Sequence, residues 1–233
     1  RELQAEWEKV RGRFIDMPLL GSVDEMAGLL AEAIRTSKEE ETLPAAFIQA
    51  ARAASGELAA HRRKAGAGLE RTLLACWPLN PVTALLLGPV SRRSFSQNER
   101  SVYSFLSSRE LRGFREFLDT HDEDALYSPA DYWDYLKANL EASIMATPDA
   151  HRWMMASDAV DRAGVKGGAS HVALMKTLAL IHLFKAGTGI KATLPMLAAG
   201  MAIPAERVRG LLSDLAAWRC VIERRFENAW GLY

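Results

Sequence analysis

The stretch LPMLAAGMAIPAERVRGLLSDLAAWRCVIERRFENAWGLY, residues 194–233, carries the clearest structural pattern in the chain. Apolar residues recur at helical spacing across residues 205–218. The members of this stripe are Val208, Leu211, Leu212, Leu215 and Trp218. Residues 220–226 and 230–233 then have the composition of two strands joined at Glu227-Asn228. We therefore expect a helix followed by a β-hairpin.

Two further helices are predicted upstream of this hairpin unit. Residues 171–184 form an apolar helical pattern that ends at a glycine-rich turn, and a shorter helix is predicted over residues 194–201. Three helices followed by a hairpin are the order of a winged helix, which we assign to residues 166–233. The glycine-containing segment 164–170 predicts a boundary in front of it.

Residues 22–165 predict a bundle of helices, so the expected fold class is mainly α, a helical bundle followed by a winged helix. Ser22 and Glu25 have the spacing of a capping box at the start of the first bundle helix. Asn80-Pro81 and Ser128-Pro129 each place a cap residue directly before a proline, which is typical of a helix start.

Other bundle helices are predicted from periodicity alone. The helical pattern of residues 43–79 is interrupted at Gly56 and at two later glycines. Residues 98–107 and 109–118 predict consecutive helices, and residues 148–163 predict another.

Charge and cysteine content exclude several classes of function. Lys and Arg number 29 and Asp and Glu also number 29, so overall charge gives no argument for binding a polyanion. Cys76 and Cys220 are too few for a disulfide framework or a four-cysteine zinc site, which favours a reducing compartment. No apolar run reaches the roughly 18 residues of a membrane span, and residues 1–11 lack the apolar core of a signal peptide. We expect a soluble cytoplasmic chain.

Several motifs imitate functional sites. In residues 187–193, GTGIKAT, Ile190 stands where a phosphate loop needs a glycine directly before the lysine, so no phosphate loop is assigned. The histidines show no metal-ligand spacing, and no metal site is predicted. For the acidic turn 121–124 an exposed loop is favoured over a cation site, and for residues 61–64 an exposed helix end over an anion site. His182 lies in an apolar helix and is predicted to be a core residue with its hydrogen bonds satisfied.

Three stretches together resemble bacterial STAND/AAA+-type P-loop ATPases. Residues 6–20, EWEKVRGRFIDMPLL, resemble the place where a core helix ends at G-R-F and the last core strand follows. The string SRRSFSQNERSVYSFLSS, residues 91–108, resembles a block that recurs in large ATP-binding proteins of this kind. Residues 176–233 are similar to the winged helix that follows the lid in the same proteins.

The resemblance implies three parts: residues 1–21 as the tail of a P-loop ATPase core, residues 22–165 as a lid-like helical bundle, and residues 166–233 as the winged helix. The family's Walker A, Walker B and first sensor residues would lie ahead of residue 1, so the chain is expected to be a fragment of a longer protein or a degenerate relative. ATP and Mg²⁺ are then the cofactors of the full-length protein, and none is expected on this chain alone. A missing ATPase core or a neighbouring subunit is the implied partner, a homo-oligomer is one arrangement that fits, and anti-phage defence is one setting.

The resemblance also gives roles to four arginines. Arg13, in G-R-F, would act in trans as an arginine finger, and the competing interpretation is a surface arginine beside a turn. Arg100, at a predicted helix start, would contact a nucleotide phosphate from the lid, while an ion pair with a neighbouring glutamate explains it equally well. Arg92 and Arg93 are less specific candidates for the same contact.

A different class of function is a DNA-binding transcriptional regulator with a helical sensor domain. Arg207 and Arg209 lie on the third helix of the winged-helix unit, and Arg224 and Arg225 lie in the first hairpin strand, where they could contact DNA phosphates. Acidic residues interleave with these arginines, namely Glu206, Asp214 and Glu223. DNA contact is therefore not favoured.

Overall fold

The computed structural model describes residues 23–34, 36, 38, 40–61, 68–91, 102–107, 109–185 and 188–233. The prediction of a mainly helical fold is confirmed, and the described helices are followed by a two-stranded antiparallel sheet at the C-terminus. The α-helices are α1 Val23–Ile34, α2 Ala45–His61, α3 Leu69–Leu74, α4 Pro81–Ser91, α5 Val102–Ser107, α6 Phe114–Thr120, α7 Pro129–Met145, α8 Ala150–Lys166, α9 Ala169–Phe184, α10 Leu194–Met201 and α11 Ala205–Ala217.

Some predictions lie outside the described residues. These are the helix and strand within residues 1–21, the cap residue Ser22, most of the basic segment 61–64, and four of the candidate site residues. The four are Arg13, Arg92, Arg93 and Arg100.

Helix α4 occupies the centre of the core. Its sequence PVTALLLGPV is apolar on every side, and each of residues 81–90 is buried. A helix that is apolar all round requires neighbours all round, and α4 packs against α1, α2, α9 and α10. Core residues from both sides of position 166 belong to one continuous cluster. Among the described residues, no helix is long and apolar enough to cross a membrane.

Two of the predicted helix starts have the expected caps. Asn80 Oδ1 accepts a hydrogen bond from the Val82 amide at 2.8 Å, ahead of Pro81. Ser128 and Asp131 form a capping box, in which the Asp131 carboxylate accepts from the Ser128 amide at 2.8 Å. Both signals are local, which is why the sequence predicts them well.

The C-terminal elements follow the predicted order. After α9, α10 and α11, strand β1 Val221–Arg224 pairs antiparallel with β2 Ala229–Leu232. The Trp230 amide of β2 also donates to the Ala192 carbonyl at 2.8 Å, which ties the hairpin to the segment before α10. Thr193 caps α10 and also donates to the Glu57 carboxylate of α2 at 2.6 Å.

The structure differs from the predicted helix over residues 109–118. Helix α6 begins only at Phe114, with Gly113 extended and Arg112 in the left-handed region at φ 60°. Distant side chains hold this turn: the Tyr127 hydroxyl donates to the Arg112 carbonyl at 2.9 Å, and the Asn139 amide donates to the Leu111 carbonyl at 2.8 Å. Residues 109–113 therefore form a turn because tertiary hydrogen bonds replace the helical ones.

Two glycines predicted as breaks lie inside helices. Gly56 is an exposed residue within α2, and α8 continues through Gly164 to Lys166. An exposed glycine costs a helix only about 1 kcal/mol relative to alanine, which the packing of the flanking turns offsets. The break before α9 is therefore confined to Gly167 and Gly168.

Candidate functional site

The described part of the candidate site is the exposed side of α11 together with the hairpin. Arg207 and Arg209 lie on the solvent face of α11, opposite the buried Val208. Arg225 is exposed where β1 ends, whereas Arg224 is only half exposed. The structure thus brings the four arginines to one C-terminal unit but gives them different surroundings.

Three of these four arginines have a carboxylate within ion-pair distance. The Arg209 guanidinium lies 3.3 Å from Glu206, that of Arg224 lies 3.6 Å from Glu227, and that of Arg225 lies 3.9 Å from Glu223. Exposed pairs of this kind add little stability, but each neutralises the local positive potential that a phosphate would require. Among the described residues, no carboxylate lies within 4.0 Å of Arg207.

Arg224 also packs against the hairpin itself. A Cβ atom at Gly231, the residue paired with Ile222, would lie 2.7 Å from Arg224 Nε. The guanidinium therefore covers the backbone of β2 in the space that a side chain at position 231 would take. This placement gives Arg224 a structural role that its sequence position does not reveal.

His182 of α9 lies close to Arg224. Burial, followed by the positive charges of Lys185 and Arg224, lowers the pKa of His182 from 6.5 to about 4, so the ring is neutral at pH 7. His182 is half-buried, and its neighbours on α9, Ile181 and Leu183, are buried. The expectation that its hydrogen bonds are satisfied is wrong for Nδ1, which is buried and has no hydrogen-bond partner among the described residues.

Helix α11 is anchored at its other side by His171. The His171 ring accepts a hydrogen bond from the Gly168 amide through Nδ1 at 3.3 Å, which leaves Nε2 as the donor to the Asp214 carboxylate at 3.1 Å. The same ring packs 4.9 Å from the Trp218 ring, centroid to centroid. Asp214 is therefore engaged in holding α11 to the N-terminus of α9.

Sequence reasoning missed Phe226 and Ile222 as surface features. The Phe226 side chain is completely exposed in the short turn between β1 and β2, and Ile222 is about half exposed on β1. The signal was present, because an apolar residue flanked by charged ones between two short strands is unlikely to reach a core. Exposed apolar residues that stand singly are common on protein surfaces, so these two residues assign no function to the hairpin.

A second feature that sequence reasoning missed is a groove of about 610 Å³ between the end of α1 and α6. Its floor is apolar and includes the buried rings of Trp77, Phe114 and Phe117. The predicted acidic turn 121–124 is exposed and lies at the groove's edge. No metal-binding group of His, Cys, Asp and Glu is present among the described residues.

Comparison with protein-family models, with curated proteins and with solved structures found no match to this chain.

Proposed function

We propose that the chain is the lid and winged-helix portion of a bacterial STAND/AAA+ ATPase, in which it couples the nucleotide state of a P-loop core to a partner or effector, with anti-phage defence as one setting. The proposal starts from the resemblance of the three stretches described above. It gains support from the described order of helices and hairpin, and from the hydrogen bond between Trp230 and Ala192 that ties the hairpin to the segment before α10.

The observation that carries the proposal is the buried attachment of the C-terminal elements to the bundle. Asn80, which is fully buried, donates to the Ala199 carbonyl at 3.0 Å and to the Gly200 carbonyl at 3.2 Å. Thr193 and Glu57 add a second polar link between α10 and α2. A displacement of the bundle is thereby transmitted to α10, which is what a coupling element requires.

The arginines have distinct roles in this proposal. Arg13 reaches the nucleotide of a neighbouring subunit as an arginine finger, and Arg100, with Arg92 and Arg93, contacts phosphate from the lid. ATP and Mg²⁺ are held by the P-loop core, whose metal neutralises the charge that develops on the phosphates.

The test is ATP hydrolysis by the natural full-length protein. We expect Arg13→Ala to lower kcat by about a thousandfold, the lower end of arginine-finger effects, with ATP binding retained. Arg100→Ala is expected to lower kcat less and to reduce nucleotide-dependent lid closure. Arg71, exposed on α3, provides a matched control, and Arg71→Ala should change neither.

Subunit mixing separates a trans role from a local one. Arg13→Ala subunits mixed with subunits whose phosphate-loop lysine is replaced should recover activity, because each nucleotide site then meets an intact arginine. An Arg13→Ala protein of unchanged kcat, or a natural protein that does not hydrolyse ATP, contradicts the proposal.

The alternative is a DNA-binding regulator, and one observation favours it: Arg207 is exposed without a nearby carboxylate among the described residues. The salt dependence of duplex binding counts the phosphates contacted. With all four arginines engaged, the slope of log K against log salt is about −3.6, and with Arg207 alone it is about −0.9. We expect no steep slope for this chain, and a slope near −3.6 that Arg207→Ala reduces would favour the regulator.

A further inference from the structure

The groove between α1 and α6 combines an apolar floor with partial exposure. Ile34 and Leu106 are half-buried at its sides, Phe114 and Trp77 form its base, and Leu118 is 45% exposed at its opening. A leucine left open beside buried aromatic rings provides apolar area that a partner can cover, and such patches mark interaction sites.

The charge at the opening is predominantly negative. Asp122 and Glu123 line the rim and are exposed, and Asp119 is exposed on α6 directly after Leu118. Among the described lining residues the cations are Lys38 and Arg115. Lys38 is paired with Asp124 at 2.9 Å, so Arg115 alone opposes the three carboxylates of Asp119, Asp122 and Glu123, and these described residues leave a net negative charge.

Lys38 shows how the acidic turn holds a cation of the chain itself. Its Nζ donates to Asp124 Oδ1 at 2.9 Å and to the Glu123 carbonyl at 3.1 Å, and it lies 5.3 Å from the centroid of the Trp77 ring. An ammonium group is therefore held between an aromatic face and the acidic turn. The remaining rim carboxylates, Asp122 and Glu123, suit further lysines or arginines.

We propose that this groove binds a basic amphipathic helix of a partner protein. The apolar face of the helix covers Leu118, Ile34 and Leu106, while its lysines or arginines face Asp119, Asp122 and Glu123. This is the helix-in-groove mode, in which apolar anchors supply contact area and the rim charges set orientation. The inference is argued only from described residues of the groove and does not depend on the proposed ATPase role.

The test uses the chain with a fluorescent 14-residue peptide of leucine and lysine arranged as an amphipathic helix. A peptide of the same composition in scrambled order and a leucine–glutamate peptide are the comparison probes. We expect saturable binding of the first peptide alone, measured by fluorescence anisotropy. D122K/E123K and Leu118→Ser should each weaken it by about tenfold, as expected for two exposed ion pairs or one apolar contact.

A matched control lies on α8, where Asp158 and Asp161 are exposed beside Met155 and Val165. D158K/D161K makes the same charge change next to another apolar patch and should leave the affinity within twofold. All these substitutions are at exposed positions, and unchanged melting curves establish that the variants are folded. A benzophenone group replacing one peptide leucine should crosslink to residues 114–125.

Several results would overturn the proposal. Equal loss of affinity in the groove and α8 variants would mean unspecific attraction by charge. Equal binding of the scrambled peptide, or crosslinks outside the groove, would mean that the groove is not the site. Self-association of the chain that Leu118→Ser abolishes would assign the groove to a second copy instead.

Discussion

Asn80 allows the strongest test of how the C-terminal elements are attached. Its side chain makes two kinds of bond at once: Oδ1 caps α4 through the Val82 amide, and Nδ2 donates to the carbonyls of Ala199 and Gly200 at the end of α10. Asn80→Ala removes both. The Ala199 carbonyl keeps a bond from the Ala202 amide, whereas the Gly200 carbonyl loses the donor that Asn80 supplies.

The magnitude follows from these losses. A lost cap costs about 1 kcal/mol, and a buried carbonyl left without a donor costs about 1–3 kcal/mol. We therefore expect Asn80→Ala to lower the free energy of unfolding by about 2–4 kcal/mol, a large part of the roughly 5–15 kcal/mol typical of a folded domain. Urea unfolding followed by tryptophan fluorescence and by circular dichroism measures it.

Two further variants separate the contributions. Asn80→Asp keeps the cap, but its side chain donates to neither carbonyl when ionised and to only one when protonated. Burial raises the pKa of the introduced aspartate. The free energy of unfolding of the Asn80→Asp variant should be highest below the ordinary aspartate pKa and should fall as pH rises through the raised pKa of the folded state. Asn139→Ala is the matched control, since Asn139 is half-buried and bonds a turn carbonyl, and it should cost about 1 kcal/mol. The reasoning is refuted if Asn80→Ala costs no more than Asn139→Ala.

The remaining predictions concern packing, protonation and thiol access. A Cβ atom at Gly200 would lie 2.7 Å from Thr177 Cγ2, so Gly200→Ala should lower the free energy of unfolding in urea by about 1–3 kcal/mol. Adding Thr177→Ser removes that methyl group and should restore part of the lost stability. The pKa of His182 falls from 6.5 to about 4 on folding, so the stability that its neutral ring contributes is complete above pH 6.5 and is lost as pH falls toward 4. His182→Gln should therefore reduce the fall of the urea midpoint between these pH values. A variant with the same pH profile as the natural chain would contradict this prediction. Burial raises the pKa of Cys76 to about 12, and Cys220 is also buried. A thiol reagent should therefore label neither cysteine in the native chain and both in guanidinium. Rapid labelling of the native chain would contradict this prediction, because it would show that the packing around the cysteines opens locally.

The features that sequence predicted well depend on neighbours in the chain. Helix α10 has the predicted bounds, because Thr193 caps it, Pro195 follows in its first turn and Ala202 ends it in the left-handed region. The caps at Asn80 and Ser128 are likewise set within three residues. Local geometry of this kind requires no knowledge of the fold.

The features that sequence could not predict depend on residues far apart. The turn before α6 exists because Tyr127 and Asn139 reach its carbonyls. The ion pairs of Arg224 and Arg225 depend on how the hairpin turns, and the groove depends on α1 lying beside a helix that begins only at Phe114. Such juxtapositions follow from tertiary packing, which periodicity within one helix does not encode.

Asn80 also bears on where a coupling motion could occur. Its predicted role ended with capping α4, yet its amide ties α4 to the end of α10, a helix on the far side of the predicted boundary at residue 166. Helix α10 cannot move independently of α4 without breaking two buried hydrogen bonds. In the proposed ATPase, α10 therefore moves with the bundle, and the contact between His171 and Asp214 holds α11 to α9 as well. The predicted winged-helix unit of residues 166–233 therefore does not coincide with the part of the chain that moves as one body, because α10 belongs to the first and is bonded to the bundle.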